Sequence, residues 1–237
     1  MSGGLASLDP AALAVLESAP AAVVSDALDR LGHRNQVLDS SIRPLWPEAR
    51  LVGVAVPVVI AANASEPELP YDGELTLLDG LRAGDVPLLA VEEGVRCASW
   101  GELFSCAALG RGAAGVVIDG YARDAAEIRA LGFPAFTRGL SPLDTFARAA
   151  VAGIDVAARV GGVDVSPGDL VVGDVDGVVV VPRLMVGAVA DAVTTKRRLE
   201  GNARAGVPEC RISVVASGAP RCDRIDDACH SVVSASF

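Results

Sequence analysis

Apolar and polar positions alternate between two regimes along the chain. Short Val-rich runs, too short for buried helices, lie between segments with helical spacing. LVGVAVPVVIAA (51–62), VPLLAVEE (86–93), AGVVID (114–119) and AFTR (135–138) read as strands. Nearly every position in these runs is apolar, as expected of strands covered on both faces. Helices are expected over 10–18, 24–31, 74–82, 103–109 and 125–131. Asp9-Pro10 supplies an N-cap and a proline at the first helical position, and Ser25 or Asp26 reads as the cap of the second helix. Gly32, Gly84, Gly110 and Gly132 stand where helices should stop. Residues 63–73, NASEPELPYDG, form a polar loop. This strand-helix alternation predicts an α/β core with parallel strands.

After residue 150 the pattern changes to short β runs punctuated by Gly, Pro and Asp-Gly, with a hairpin turn expected at Asp174-Val175-Asp176-Gly177. A longer helix follows over 183–206. Its Lys196-Arg197-Arg198 reads as a solvated basic face near the helix end. Residues 207–237 are expected to form a separate C-terminal extension with one strand-like piece, ISVVA.

Composition narrows the function classes. The chain has 237 residues, 51% hydrophobic but only 4% aromatic, so Ala, Val and Leu must fill the core. Net charge is −10 and no Lys/Arg run reaches five, which argues against nucleic-acid binding. The N-terminus lacks a basic n-region, and no apolar run approaches the roughly 20 residues of a membrane span. Five cysteines without a C-x-x-C pair suggest a reduced, cytoplasmic protein with no disulfide framework. Cys210, Cys222 and His230 have spacings that fit no standard zinc pattern. No G-x-G-x-x-G, P-loop or G-x-S-x-G motif occurs. With two His and Lys196 as the sole lysine, zinc-hydrolase, Ser-His-Asp and Schiff-base schemes have little support.

The chemistry concentrates in VVIDGYARDAAEI (116–128) and in Trp100-Gly101-Glu102. Locally, Asp119-Gly120 reads as a strand-ending turn and Asp124-x-x-Glu127 as a capping box. Position suggests more. Both segments lie on strand-to-helix loops, where open α/β sheets collect ligands. The amides at Leu103 and Phe104 open a helix and suit a carboxylate. Arg123 offers a planar fork for a carboxylate or enolate, and Asp124 and Glu102 are hard oxygen donors for Mg²⁺ or Mn²⁺.

Residues 100–139 resemble the core of class II pyruvate aldolases of the 4-hydroxy-4-methyl-2-oxoglutarate aldolase type, a superfamily that includes the regulator of ribonuclease activity A. VVSDALDRLG (23–32), SSIRPLWPEARLVGVAV (40–56), GDV (84–86) and PGDLVVGDVDGVVVVP (167–182) look like family segments in the right order, so the resemblance covers about residues 10–205. The aldolase motif, an acidic residue, twenty intervening residues, Arg-Asp, two residues and another acid, corresponds here to Glu102, Arg123-Asp124 and Glu127. The first acid is Glu where the characterised aldolases have Asp. By resemblance, regulator-type members lack the acid at the position of Glu127.

The resemblance implies a swivelling-domain-type β/α core with mixed sheets and flanking helices, spanning 1–206, in a homotrimer or homohexamer with the site between subunits. It also implies a metal held by Asp124, with Glu127 and a neighbouring subunit's Glu200 as weaker contributors. The substrate would be bound by Gly101, Leu103, Phe104 and Arg123, and Glu102 would position a catalytic water. The activity implied is cleavage of a 4-hydroxy-2-oxo acid to pyruvate and a second oxo acid, with oxaloacetate decarboxylation alongside. The other reading is a non-catalytic regulator that binds a protein such as a ribonuclease.

Overall fold

In the computed structural model, residues 5–66 and 69–206 are described. The C-terminal extension, 207–237, with its expected strand and its Cys and His residues, lies outside them.

The Val-rich runs form one mixed sheet of nine strands. Its backbone is β1 (Arg43–Pro44), β2 (Leu51–Ala62), β3 (Asp85–Val91), β5 (Val116–Ala122), β6 (Ala135–Leu140), β10 (Leu170–Asp174) and β11 (Gly177–Val181). The order across the sheet is β1-β6-β5-β3-β2-β10-β11. β4 (Ala98–Trp100) adds to β5, and β7 (Ala149–Ile154) adds to β2. The β2-β3-β5-β6 centre is parallel and the flanks are antiparallel. A bridge from Val37 to Val179, and the Arg43 guanidinium on the Asp176 carbonyl, draw the two sheet edges together into a nearly closed barrel. β8 (Ala158–Val160) and β9 (Val163–Val165) make a separate hairpin.

Helices cover the sheet in two groups. α1 (Pro10–Ser18), α2 (Ala21–Arg30) and α6 (Val186–Gly206) bury Leu16, Val24, Leu28, Val189 and Val193 against Val172 and Val179. α3 (Asp72–Gly80), α4 (Glu102–Gly110) and α5 (Ala125–Leu131) bury Leu77, Ala108 and Ile128 with Trp100, Ile118 and Phe133. A third cluster around Phe136, Leu88 and Val171 fills the barrel interior. Strands apolar on both faces are thus covered on both faces.

Several local expectations change. β5 does not stop at Asp119-Gly120 but continues to Ala122. The Asp119 carboxylate is taken by the Gly161 amide and the Arg138 guanidinium, and Gly120 lies against Val91, where a Cβ would meet Val91 Cγ2 at 2.8 Å. Arg43-Pro44 pairs with β6 as a short antiparallel strand. α2 starts three residues earlier than expected, so Ser25 and Asp26 lie inside it. Its cap comes from afar: the hairpin's Asp174 accepts from the Ala21 amide at 2.7 Å. The β10–β11 hairpin itself forms as expected.

Lys196 is the clearest reversal. It is only 6% exposed, with its ammonium 2.6 Å from Asp26 Oδ2 and 3.4 Å from Glu200 Oε1. It therefore ties α6 to α2 rather than facing water. Removing it leaves Asp26 unpaired, though half-exposed and so partly resolvated. Lys196→Ala is expected to cost about 1–2 kcal/mol, a fall in Tm of about 3–6 °C by thermal denaturation. An unchanged Tm would show that the pair contributes nothing.

Candidate active site

Two strand-to-helix turns meet at one end of the sheet. β4 and β5 run parallel with Trp100 opposite Ala122, and the Arg123 amide donates to the Trp100 carbonyl at 3.0 Å. The register puts Gly101-Glu102, opening α4, beside Arg123-Asp124, preceding α5. Trp100 anchors the first turn. It is buried, stacks on Phe133 and meets Phe104 edge-on; its indole N–H donates to Ser105 Oγ, which donates to the Gly101 carbonyl.

Asp124 does not cap its own helix. Its backbone is left-handed, φ 57° and ψ 41°, and its side chain makes no capping bond to α5. A non-glycine residue in this region is strained by about 1 kcal/mol or more. The twist turns the carboxylate across to the other helix, where Oδ2 accepts from the Glu102 amide at 3.1 Å. The carboxylate sits 3.6 Å from Arg123 Nε. The capping-box expectation thus fails because the left-handed turn aims the side chain away from α5.

Gly101 is what lets the two turns approach. Its φ of −149° is open to any residue, but a Cβ there would lie 2.7 Å from Asp124 Oδ2 and 3.2 Å from Arg123 Cγ and Nε. The first turn of α4 leaves the Leu103 and Phe104 amides without intrahelical acceptors, an electropositive end for an anion. Leu103 is 73% exposed there. Arg123 and Asp124, with Leu140, Ser141 and Pro142, line a cleft of about 410 Å³.

The remaining expected residues are less tightly drawn in. Glu102 begins α4, and its Oε1 accepts from the Cys106 thiol at 3.3 Å, a contact that pushes the exposed thiol's pKa up. Glu127 is exposed on the first turn of α5 and makes no hydrogen bond or ion pair among the described residues. Glu200 is on α6, which packs on α1 and α2, and within one chain it pairs with Lys196. No group of three or more His, Cys, Asp or Glu side chains that could hold a metal ion forms among the described residues. Asp124 alone still suits Mg²⁺ or Mn²⁺: a hard, half-exposed carboxylate at an open cleft fits a cation that keeps several waters and takes only one or two protein carboxylates.

Two neighbours of Arg123 fall outside the sequence motif. Asp144 Oδ2 accepts both from Arg123 Nη1 at 2.9 Å and from the Tyr71 hydroxyl at 2.9 Å. Burial alone would raise the Asp144 carboxyl, but the Phe146 amide, the Tyr71 hydroxyl and Arg123 outweigh it and hold it below the usual carboxylate range. The Asx turn at Asp144, with the Phe146 amide on Oδ1, was the one local signal.

Behind them Glu74 is 7% exposed. Burial pushes its carboxyl up, and the nearby Asp144 charge adds to the rise. The folded-state pKa thus lies above the unfolded 4.5, so the stability Glu74 contributes is fully present below that value and is lost as pH rises through the folded pKa. Glu74→Gln is expected to raise Tm at pH 8 and to leave it unchanged at pH 4. An equal shift at both pH values would mean that charge burial is not the cause.

The RraA-like family, described as Aldolase/RraA, matches residues 21–180. A protein of Halalkalibacterium halodurans named "Putative 4-hydroxy-4-methyl-2-oxoglutarate aldolase" is 35% identical over 164 residues, 69% of this chain and 73% of that protein. One of the same name from Aromatoleum aromaticum is 32% identical over 105 residues, 44% of this chain and 65% of its own. Among solved structures, Streptomyces coelicolor RraAS2, titled an unusual member of the RNase ES inhibitor RraA protein family, superposes with a TM-score of 0.74 at 27% identity. That match covers 83% of this chain and 97% of RraAS2. With the family match spanning most of the sheet and both turns of the site, the chain belongs to the RraA-like Aldolase/RraA family.

Proposed function

We propose that this protein is a divalent-metal-dependent lyase that cleaves a 4-hydroxy-2-oxo acid, with a 4-methyl or 4-carboxyl substituent, to pyruvate and a second oxo acid. Oxaloacetate decarboxylation is its side activity. The observation that carries the reading is the left-handed Asp124, whose carboxylate leaves its own helix to stand beside Arg123 at the open end of α4. Strain of this kind persists where surrounding structure enforces it, and it gathers at functional sites. The likeness to proteins named as aldolases points the same way.

Asp124 would hold Mg²⁺ or Mn²⁺, with Glu127 acting through water and Glu200 entering from a neighbouring copy. Bound there, the metal would supply Lewis-acid polarisation of the 2-oxo oxygen. The chain's own groups do the rest. The Leu103 and Phe104 amides, on the turn that Gly101 opens, receive the substrate carboxylate. Arg123 donates to the oxygen that gains charge as the C3–C4 bond breaks and its electron pair forms the pyruvate enolate. Glu102 positions a water that removes the 4-hydroxyl proton, and C3 is then protonated to give pyruvate. In oxaloacetate the same electron flow releases CO₂ instead. A homotrimer or homohexamer would cover the exposed Leu140 that lines the cleft. No helix among the described residues is long and apolar enough to cross a membrane.

A second reading, a non-catalytic regulator of a ribonuclease, draws on the likeness to RraAS2. Arg123→Ala and Arg123→Lys separate the two. Pyruvate release from oxaloacetate with Mn²⁺ is expected to fall at least about tenfold in Arg123→Ala, with partial retention in Arg123→Lys. Full activity in both folded variants would remove Arg123 from the mechanism. No release by the unaltered protein from any 2-oxo acid would favour the regulator.

A further inference from the structure

We infer that Asp144 is the positioning residue for Arg123, locked in turn by Tyr71, an inference that rests on the reading of Arg123 as the enolate-binding group. An arginine on a loop with a side chain 36% exposed carries about 2 kcal/mol of rotamer entropy. An ordinary surface ion pair contributes at most about 1 kcal/mol and does not fix such a side chain. Asp144 is a better anchor because it is itself immobilised. Its Oδ1 accepts from the Phe146 amide at 3.0 Å and from Thr145 Oγ1 at 3.3 Å, while Oδ2 accepts from Tyr71 and Arg123.

Tyr71 carries the brace to the other half of the site. Its ring meets Phe104 edge-on, centroids 6.2 Å apart at 75°, and Phe104 belongs to the opening turn of α4. Burial and the Asp144 carboxylate push the Tyr71 hydroxyl's pKa up, so it stays protonated and donates. The guanidinium and the α4 N-terminus are therefore held by one unit built from three distant stretches: the loop before α3, the turn after β5 and the segment after β6. Asp144 uses Nη1 only. The Nη2 donors of Arg123 have no protein partner among the described residues and remain for the substrate.

The test compares Asp144→Ala, Asp144→Asn and Tyr71→Phe with the unaltered protein. Three quantities are read: kcat and KM for oxaloacetate with Mn²⁺, the Kd for Mn²⁺ alone, and the rate at which phenylglyoxal labels Arg123, followed by peptide mass spectrometry. Asp144→Ala is expected to lower kcat about tenfold, since a small misplacement of a catalytic group costs that much or more. Mn²⁺ affinity should stay within about twofold, because Asp124 is untouched. Arg123 should label several-fold faster once freed. Asp144→Asn keeps an acceptor oxygen and should recover much of kcat, and Tyr71→Phe, which keeps the ring on Phe104, should fall between. Unchanged labelling and unchanged kcat in Asp144→Ala would overturn the inference. So would a fall in kcat with unchanged labelling, or one that tracks lost Mn²⁺ affinity, since either marks a merely structural role. If the unaltered protein releases no pyruvate at all, the proposed function fails and the labelling rates alone decide whether Asp144 holds Arg123.

Discussion

Asp124→Ala is expected to reduce pyruvate release by about 10- to 1,000-fold and to weaken Mn²⁺ binding in parallel. The substitution removes the one carboxylate that the left-handed turn aims into the cleft, and with it the acceptor for the Glu102 amide. Alanine keeps a Cβ in the left-handed turn and gains no relief there, so the lost hydrogen bond is not offset and Tm should fall by a few degrees. Asp124→Asn distinguishes charge from shape: it keeps an acceptor for Glu102 but should bind Mn²⁺ poorly. Isothermal titration with Mn²⁺ and the turnover assay check both. A variant that binds Mn²⁺ as the unaltered protein does would show that the metal site lies elsewhere.

Gly101→Ala should be nearly as damaging, without removing any polar group. The new methyl would stand 2.7 Å from Asp124 Oδ2 and 3.2 Å from Arg123 Nε, distances that force one or both to move. The backbone at Gly101 is ordinary extended chain, so the cost arises from space rather than from φ. A displacement of about 1 Å at a catalytic group costs up to 10²-fold in rate. The expectation is a turnover loss of about 10- to 100-fold with far-ultraviolet circular dichroism unchanged. Normal kinetics in Gly101→Ala would mean that the two turns are free to part, and that their approach has no catalytic role.

How much of this could be read from residues alone follows from the range of the interactions. β2, the two-residue hairpin at Val175-Asp176 and the Asp9 cap depend on neighbours in sequence, and they form where patterns place them. The mixed sheet also follows from strands that are apolar throughout, with helices packed on its outer face and the Phe136 cluster on its inner one. Errors arise where a distant group overrides a local signal. Asp-Gly at 119–120 has every mark of a turn, yet Gly161 and Arg138 hold Asp119 within a continuing strand. Asp26 looks like a cap, but Asp174, far along the chain, takes that role and Asp26 pairs with Lys196. Lys196 sits in a basic run whose solvation periodicity cannot decide, since burial depends on α2 being alongside.

The site divides in the same way. Glu102, Arg123 and Asp124 are picked out by resemblance to the family motif, and the β4–β5 register brings their turns together. Only the local capping-box reading of Asp124 fails, because a capping box and a left-handed turn share one sequence. Asp144 and Tyr71 could not be found by spacing, being 21 residues beyond Arg123 in one case and joined to Asp144 across 73 residues in the other. Only the tertiary fold brings a loop before α3 against a turn after β6.

The most direct measurement is pyruvate release from oxaloacetate and from 4-hydroxy-4-methyl-2-oxoglutarate, read by coupled NADH oxidation, with Mg²⁺, Mn²⁺ or EDTA, for the unaltered protein and Asp124→Ala side by side. The expected result is release that EDTA abolishes, that added metal restores and that Asp124→Ala loses. Release that persists in EDTA, or that Asp124→Ala retains in full, would contradict it.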